Sequence, residues 1–238
     1  MLAVIYLVFN EGYLASTGDA LDRGDLASDA IRLGRLVVEL LPDRAEALGL
    51  TALMLLHHAR RDARADAAGD LITLEEQDRT RWDRAAIDEG VALLDRAIAI
   101  RRATPATSRF GPAGPYQLQA AIAALHDQAK RAEDTDWRQI AALYGALVRV
   151  SGSPVAKLDA AVAVAMADGV DRGLDWIERL ALRPELAGYH LVHAARADLL
   201  RRAGRAVEAR APYAVAISLV TNGKERAYLE RRLRELGG

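Results

Sequence analysis

The chain has 238 residues, a net charge of −1 and no cysteine, and 51% of its residues are hydrophobic. This length and composition are typical of a globular protein with one or two domains. The lack of cysteine excludes a disulfide framework, thiolate metal sites and cysteine catalysis, and the near-zero charge gives the whole chain no electrostatic attraction for nucleic acid. A cysteine-free chain suits a reducing compartment, so we expect a cytoplasmic protein.

The apolar run at residues 1–9 is predicted to be a buried helical turn. It is too short to cross a bilayer, and it lacks the basic start and the small-residue cleavage site of a secretion signal. Tyr6, Phe9 and Tyr13 are spaced to share one helix face. We expect that face to be partly exposed, covered by self-association, or folded back on the first helical hairpin.

The next two segments are predicted to form a helical hairpin. Apolar residues recur every three or four positions in residues 26–40 and again in residues 48–59, as on one face of an α-helix. Pro42 is expected to stop the first helix, and Asp43 is expected to cap the second.

Two irregular segments are predicted to interrupt the helices. Residues 61–84 form a long charged connection. A loop held by salt bridges, in which Trp82 anchors the next helix, is favoured over a calcium site, because the acidic residues lack calcium-loop spacing. Residues 103–115 are rich in proline and glycine and are predicted to be a linker, with a local insertion at 103–113. The predicted domains are therefore N-terminal hairpins over residues 1–102 and a second set of helices over residues 116–238.

The second half has the periodicity of tetratricopeptide (TPR) repeats. Ser153 and Pro154 supply an N-cap and a first-turn proline, and Gly169 lies 35 residues before Gly204, close to the 34-residue TPR period. The small, turn and aromatic positions of the last repeat are Ala197, Leu200, Gly204, Ala209, Tyr213 and Ala216. The predicted fold is all-α, with TPR-like helical hairpins stacked as an α-solenoid and closed by a terminal capping helix.

The terminal helix has a basic face. Its arginines are Arg226, Arg231, Arg232 and Arg234. A capping helix with a solvated basic face is favoured, and the alternative is docking to an acidic protein surface or to DNA phosphates. The helix lacks the base-reading or aromatic-stacking arrangement of specific nucleic-acid binding.

Several polar residues are candidates to line a groove or pocket. His190 and His193 are three apart on a predicted helix and could share a metal or an anion, but with no cysteine nearby a groove-lining role is favoured. The adjacent His57 and His58 diverge on a helix, which disfavours a shared metal. No catalytic motif is present and no cofactor is expected. The full set of pocket candidates is Gln117, Gln119, His126, His190 and His193.

Four ordered segments carry a resemblance to a known family. They are Tyr6-Leu-Val-Phe-Asn-Glu-Gly-Tyr13, residues 114–126, Thr135-Asp-Trp137 and residues 189–200. Together they resemble the helical C-terminal extension of one group of extracytoplasmic-function (ECF) RNA polymerase sigma factors. In that group, a TPR-like extension follows two helical domains that bind DNA and polymerase, and it is thought to regulate them in place of a separate anti-sigma factor.

The resemblance implies a regulatory function in transcription initiation. The chain would modulate sigma activity through contacts with the sigma core or RNA polymerase, and it would reach DNA only through sigma domains that this chain does not include. No membrane partner is expected, and self-association of the isolated region is a further expectation. The residues at the seam to the sigma core would be Tyr6, Phe9, Asn10, Glu11 and Tyr13. The alternative is a small-molecule sensor or cryptic enzyme built around the polar pocket candidates.

Overall fold

The computed structural model describes residues 1–13, 24–103 and 113–237, and within these ranges it confirms the predicted all-α class. The eleven α-helices of the described residues are Leu2–Tyr13 (α1), Gly24–Leu40 (α2), Ala45–His58 (α3), Arg84–Ala103 (α4), Pro115–Gln128 (α5), Trp137–Ser151 (α6), Pro154–Asp168 (α7), Val170–Ala181 (α8), His190–Arg202 (α9), Ala206–Leu219 (α10) and Gly223–Glu235 (α11). None of them is both long and apolar enough to cross a membrane.

The helices belong to two compact units. Residues 1–13, 24–103 and 113–135 form the first unit, with α1 to α5, and residues 136–237 form the second, with α6 to α11. The structure therefore groups α5 with the preceding helices, whereas the sequence analysis grouped it with the later repeats. The reason is contact with α3 and α4, against which α5 packs. Most of the predicted linker and insertion, residues 104–112, lies outside the described residues.

Helix α3 is the centre of the first unit. Ten consecutive residues, 47–56, are buried, as expected for a helix that is apolar on all sides. Helices α1, α2, α4 and α5 all pack against it. Gly49 lets α5 approach closely, because a side chain there would lie 2.8 Å from the backbone nitrogen of Gln117. The first unit is thus a bundle around one helix, an arrangement that periodicity alone did not predict.

The observed ends of α2 and α3 agree only in part with those predicted from the sequence. Helix α2 ends at Leu40, before Pro42, as predicted. Asp43 does not cap α3, so that prediction is wrong: Arg44 occupies the N-cap position and makes no capping hydrogen bond through its side chain. The orphan N–H groups of α3 therefore lack the capping aspartate that the sequence suggested.

The second unit has the predicted succession of helical hairpins. Each helix from α6 to α11 packs on the next, and α7 also contacts α9. The Ser153 side chain accepts a hydrogen bond from the backbone of Ala156, as an N-cap does. Gly204 adopts a φ of 73° in the turn between α9 and α10, a conformation that glycine tolerates best. The predicted small positions of this repeat are buried, namely Ala197, Ala209 and Ala216.

Candidate functional site

The aromatic face of α1 is folded back on the first unit. Phe9 is fully buried, and its ring stacks on that of Tyr13 with centroids 5.5 Å apart. Tyr6 contacts Tyr116 of α5 edge to face at 5.4 Å, and its hydroxyl donates to Oε1 of Gln119 at 3.4 Å. Of the three arrangements expected for this face, the structure has the one in which the face folds back on the neighbouring helices. The aromatic seam residues therefore attach α1 to the bundle.

Tyr13 is held by two basic side chains of the first unit. The guanidinium of Arg64 lies 3.8 Å from the centre of its ring and also donates to its carbonyl oxygen, a cation–π contact supported by a hydrogen bond. The ring of His57 lies 5.3 Å from that of Tyr13. Burial, with the positive charges of Arg60 and Arg64, lowers the pKa of His57 well below its ordinary value. A neutral imidazole packs well among aromatic rings, and burial favours that form here.

The opposite face of α1 is apolar and exposed. Met1, Val4 and Leu7 recur every three residues and are 74%, 62% and 66% exposed. Asn10 continues this row and is also exposed, while Glu11 is half-buried. The sequence analysis missed this row, although the signal was present. A helix that is apolar on both faces must either be buried on all sides or offer one face to a partner.

The neighbouring helix α2 also exposes apolar side chains. A side chain at Gly12 would lie 2.4 Å from the backbone nitrogen of Ala27, so the end of α1 lies against the beginning of α2. Helix α2 exposes three leucines at helical spacing, namely Leu33, Leu36 and Leu40. The exposed residues Val4 and Leu7 of α1 are hereafter called the outer row. Helices α1 and α2 therefore each bury one side in the core and expose apolar side chains on another.

The two glutamines among the pocket candidates fix the start of α5. The side chain of Gln117 is buried and donates to Oε1 of Glu46 at 3.0 Å. The same carboxylate accepts from the backbone N–H groups of Tyr116 and Gln117, at 3.3 and 3.2 Å. A negative charge at a helix N-terminus is favoured by both hydrogen bonding and the helix dipole. Gln119 donates to the carbonyl of Pro115 at 3.2 Å. These contacts assign both glutamines a structural role.

The charged loop caps the other end of α5. Nη1 of Arg79 donates to the carbonyl oxygens of His126 and Ala129, at 2.6 and 2.8 Å, which satisfies carbonyls that a helix end leaves unpaired. Arg79 also lies 4.5 Å from the ring of buried Trp82, which anchors the start of α4 as predicted. Burial, with the charges of Arg60 and Arg79, lowers the pKa of His126 to about 4. This loop is therefore bound to α5 through arginine–carbonyl contacts. The sequence analysis predicted salt bridges within the loop and did not predict these contacts.

The two histidines of α9 belong to the second unit, so no one unit holds all five pocket candidates. Nε2 of His190 lies 3.4 Å from the carboxylate of Glu225 at the start of α11. Burial and the charge of Arg196 lower the pKa of His193. Among the described residues, no group of three His, Asp or Glu is placed to hold a metal ion. His190 thus contacts the neighbouring helix α11, and His193 is half-buried on α9.

The basic face of α11 is largely used inside the second unit. Arg226 donates to the carbonyl oxygens of Ile217 and Val220, at 2.7 and 2.5 Å, and so caps the end of α10. Arg231 and Arg232 lie over the ring of Tyr228, at 5.5 and 5.2 Å. Arg234 is exposed. Arg226 therefore ties the capping helix to α10, whereas the contacts of Arg231 and Arg232 with Tyr228 lie within α11 itself.

Comparison with known proteins gives two similarities and no described activity. A family model described as a family of unknown function, DUF6596, matches residues 1–98. An uncharacterized protein of Rhizobium meliloti is 47% identical over 233 residues, which cover 98% of this chain and 52% of the relative. The chain thus spans about half the length of the curated relative that it matches. No solved structure matches the chain significantly.

Proposed function

We propose that this chain is a regulatory protein-interaction domain of an ECF sigma factor and that it acts in the cytoplasm. It modulates transcription initiation through contacts with the sigma core or RNA polymerase, and it meets DNA only through the sigma domains. The proposal assigns it no catalysis and no cofactor. Support comes from the four resembling segments, two of which form the associated helices α1 and α5.

The outer row of α1 is the observation that carries the proposal. Val4 and Leu7 are about two-thirds exposed, while Phe9 on the other face is fully buried. A rigid helix that presents apolar side chains to solvent is a typical protein-binding surface, because association removes that apolar area from water. The Rhizobium relative has about half its length outside the match, which leaves room for the sigma domains that would cover this row.

A binding experiment with the whole chain tests the proposal. The immobilised chain is offered the half of the Rhizobium protein that lies outside the match, and separately bacterial core RNA polymerase. We expect at least one of them to be retained. The double substitution Val4→Asp and Leu7→Asp should reduce retention by at least about tenfold, because charged groups replace apolar contacts at the centre of the interface.

A matched control separates the outer row from apolar exposure in general. Leu182 and Val207 of the second unit are 85% and 83% exposed, and their double substitution by Asp makes the same chemical change elsewhere. It should leave retention unchanged, with circular dichroism verifying that both variants are folded. If neither partner binds, or if both variants bind as the original chain does, the proposed contact is wrong. Run-off transcription by the Rhizobium protein with purified polymerase then tests whether it acts as a sigma factor.

A further inference from the structure

The second unit contains a groove that the sequence analysis did not identify. It lies between α6, α7 and α8 and has a volume of about 500 Å³. Its apolar lining includes Val148, Ala160 and Leu180, and Trp176 stands beside them with 43% of its surface exposed. This volume is within the range of sites that hold small molecules or a few side chains. The groove, hereafter the α6–α8 groove, is thus large enough for a side chain of a bound segment.

Positive side chains surround this apolar lining. They are Arg149, Lys157, Arg179 and Arg183. Among the described residues that line the groove none is Asp or Glu, and none of these four cations has an ion-pair partner within the described ranges. Other arginines of the unit do pair, as Arg172 does with Asp168 at 3.1 Å. The groove therefore concentrates positive charge that the fold itself does not neutralise.

The arrangement follows from helical spacing. Trp176, Arg179 and Leu180 follow one another at intervals of three and one residues, so they share one face of α8, and Arg183 stands two residues after the helix ends. Lys157 stands three residues before Ala160 on α7. Each helix thus offers both an apolar and a basic side chain to the same groove.

We propose that the α6–α8 groove binds an acidic peptide segment that carries one large apolar side chain. Guanidinium groups bind carboxylates through paired, charge-assisted hydrogen bonds. The exposed indole of Trp176 offers a flat apolar surface on which an apolar or aromatic side chain packs. Charge and apolar area thus select the same ligand, a peptide in which acidic residues flank a hydrophobic one.

The surroundings favour a peptide over nucleic acid. A nucleic-acid site needs a long positive track that follows the phosphate backbone, whereas these four cations surround one apolar groove. The net charge of the whole chain is −1, so no general attraction for polyanions accompanies the local charge. A phosphate chain would also leave the apolar lining of the groove uncovered.

Fluorescence anisotropy with the intact chain tests this site. The probe is a fluorescein-labelled peptide, Glu-Asp-Glu-Leu-Phe-Glu-Asp-Glu, and its neutral control has Gln and Asn in place of Glu and Asp. We expect the acidic peptide to bind at least about tenfold more tightly than the neutral one, with an affinity that falls as salt rises. A third peptide, with Ser in place of Leu and Phe, should also bind more weakly because it cannot pack on Trp176.

Charge-reversed variants locate the binding. Arg179→Glu with Arg183→Glu should lower the affinity for the acidic peptide by at least about tenfold. The control, Arg81→Glu with Arg138→Glu, makes the same charge change at two exposed arginines outside the groove and should retain binding. Equal loss in both variants would show non-specific attraction and overturn the site, as would equal binding of the acidic and neutral peptides. Tighter binding of a single-stranded oligonucleotide than of the peptide, lost in the groove variant, would assign the groove to nucleic acid instead.

Tryptophan emission gives a second, independent readout. Trp176 is exposed in the groove, whereas Trp82 is buried in the first unit and Trp137 is half-buried and does not line the groove. Saturation with the unlabelled acidic peptide should change the emission of the chain, and Trp176→Phe should abolish that change. Persistence of the change in the Trp176→Phe variant would place the peptide elsewhere and contradict the proposal.

Discussion

Nε of Arg60 lies 3.5 Å from a carboxylate oxygen of Asp127, and the two side chains are 7% and 0% exposed. The pair joins the chain just after α3 to the end of α5. Burial raises the pKa of Asp127 to about 6, although the charges of Arg60, Arg79 and Arg84 act in the opposite direction. The first unit therefore contains a buried charge pair whose members depend on each other, since either charge alone would be costly in the interior.

Removal of one partner of this pair should be far more damaging than removal of both. Asp127→Ala leaves the guanidinium of Arg60 buried without its counter-charge, and we expect a loss of about 3–5 kcal/mol in the free energy of unfolding. The double substitution Arg60→Met with Asp127→Leu should lose much less, because apolar side chains fill the same space. Urea unfolding measures both. A single variant no less stable than the double one would contradict this dependence.

Asp159 makes the stability of the second unit depend on pH. Burial raises its pKa to about 6, so folding favours its protonated form. The stability that protonated Asp159 contributes is fully present below the pKa of this carboxyl in the unfolded chain, about 4. It is lost as the pH rises through about 6. Asp159→Asn should therefore be more stable than the original chain by about 1–3 kcal/mol at pH 8, and the difference should vanish near pH 4.

The control for Asp159 is an exposed carboxylate of the same unit. Asp175→Asn on α8 makes the same chemical change at an exposed side chain, and thermal unfolding at pH 8 and pH 4 should not distinguish it from the original chain. An equal gain in both variants at pH 8 would attribute the effect to net charge and not to burial of Asp159.

His126 should have the opposite pH dependence in the first unit. Its pKa is lowered to about 4 by burial and neighbouring arginines, so the folded chain holds the neutral imidazole. The stability that this provides is present above pH 6.5 and is lost as the pH falls through about 4. In nuclear magnetic resonance spectra, the imidazole of His126 should remain neutral at pH 5.5, identified by its disappearance in His126→Gln. Titration near pH 6.5 would show that this imidazole is solvated.

Two helix glycines should respond to alanine in opposite ways. A side chain at Gly173 would lie 2.3 Å from Cβ of Ala165 and 2.7 Å from the carbonyl oxygen of Ala161, where α8 crosses α7. Gly173→Ala should cost about 1–3 kcal/mol through overpacking. At Gly145 the nearest atom is Nη1 of Arg149 at 3.7 Å, so Gly145→Ala should gain up to about 1 kcal/mol from helix propensity. Similar melting temperatures for the two variants would contradict this close contact.

The sequence predicted the elements better than their assembly. Periodicity located the hairpins, and positions such as Gly204 and Ala209 behave as the repeat pattern requires. The place of α3 at the centre of a bundle was not predicted, because an apolar stripe shows that a helix is buried and does not show how many neighbours bury it. A continuous solenoid over the whole chain stays a prediction.

The candidate sites show the same limit. Arg79 and Arg226 were recognisable as basic residues, but their partners are backbone carbonyl oxygens, which every residue has and no sequence motif identifies. Phe9 was predicted to lie at a seam, and it is fully buried, so substitution there would disturb folding as well as any interface. The α6–α8 groove combines residues of three helices, and helical spacing predicts which residues of one helix share a face but not that the three helices meet.

The carboxylate of Glu46 at the start of α5 bears on how this protein could be divided into fragments. It bonds to residues about 70 positions away along the chain, so α5 is completed by α3 and not by its own flanking sequence. A protein cleaved within residues 104–112 should therefore remain associated as two pieces after the peptide bond is lost. For independent expression, the natural place to separate the chain lies between Thr135 and Asp136, where both fragments would keep their own hydrophobic clusters. A split reporter with its break at 104–112 would thus use the Glu46 cap as its point of reassembly.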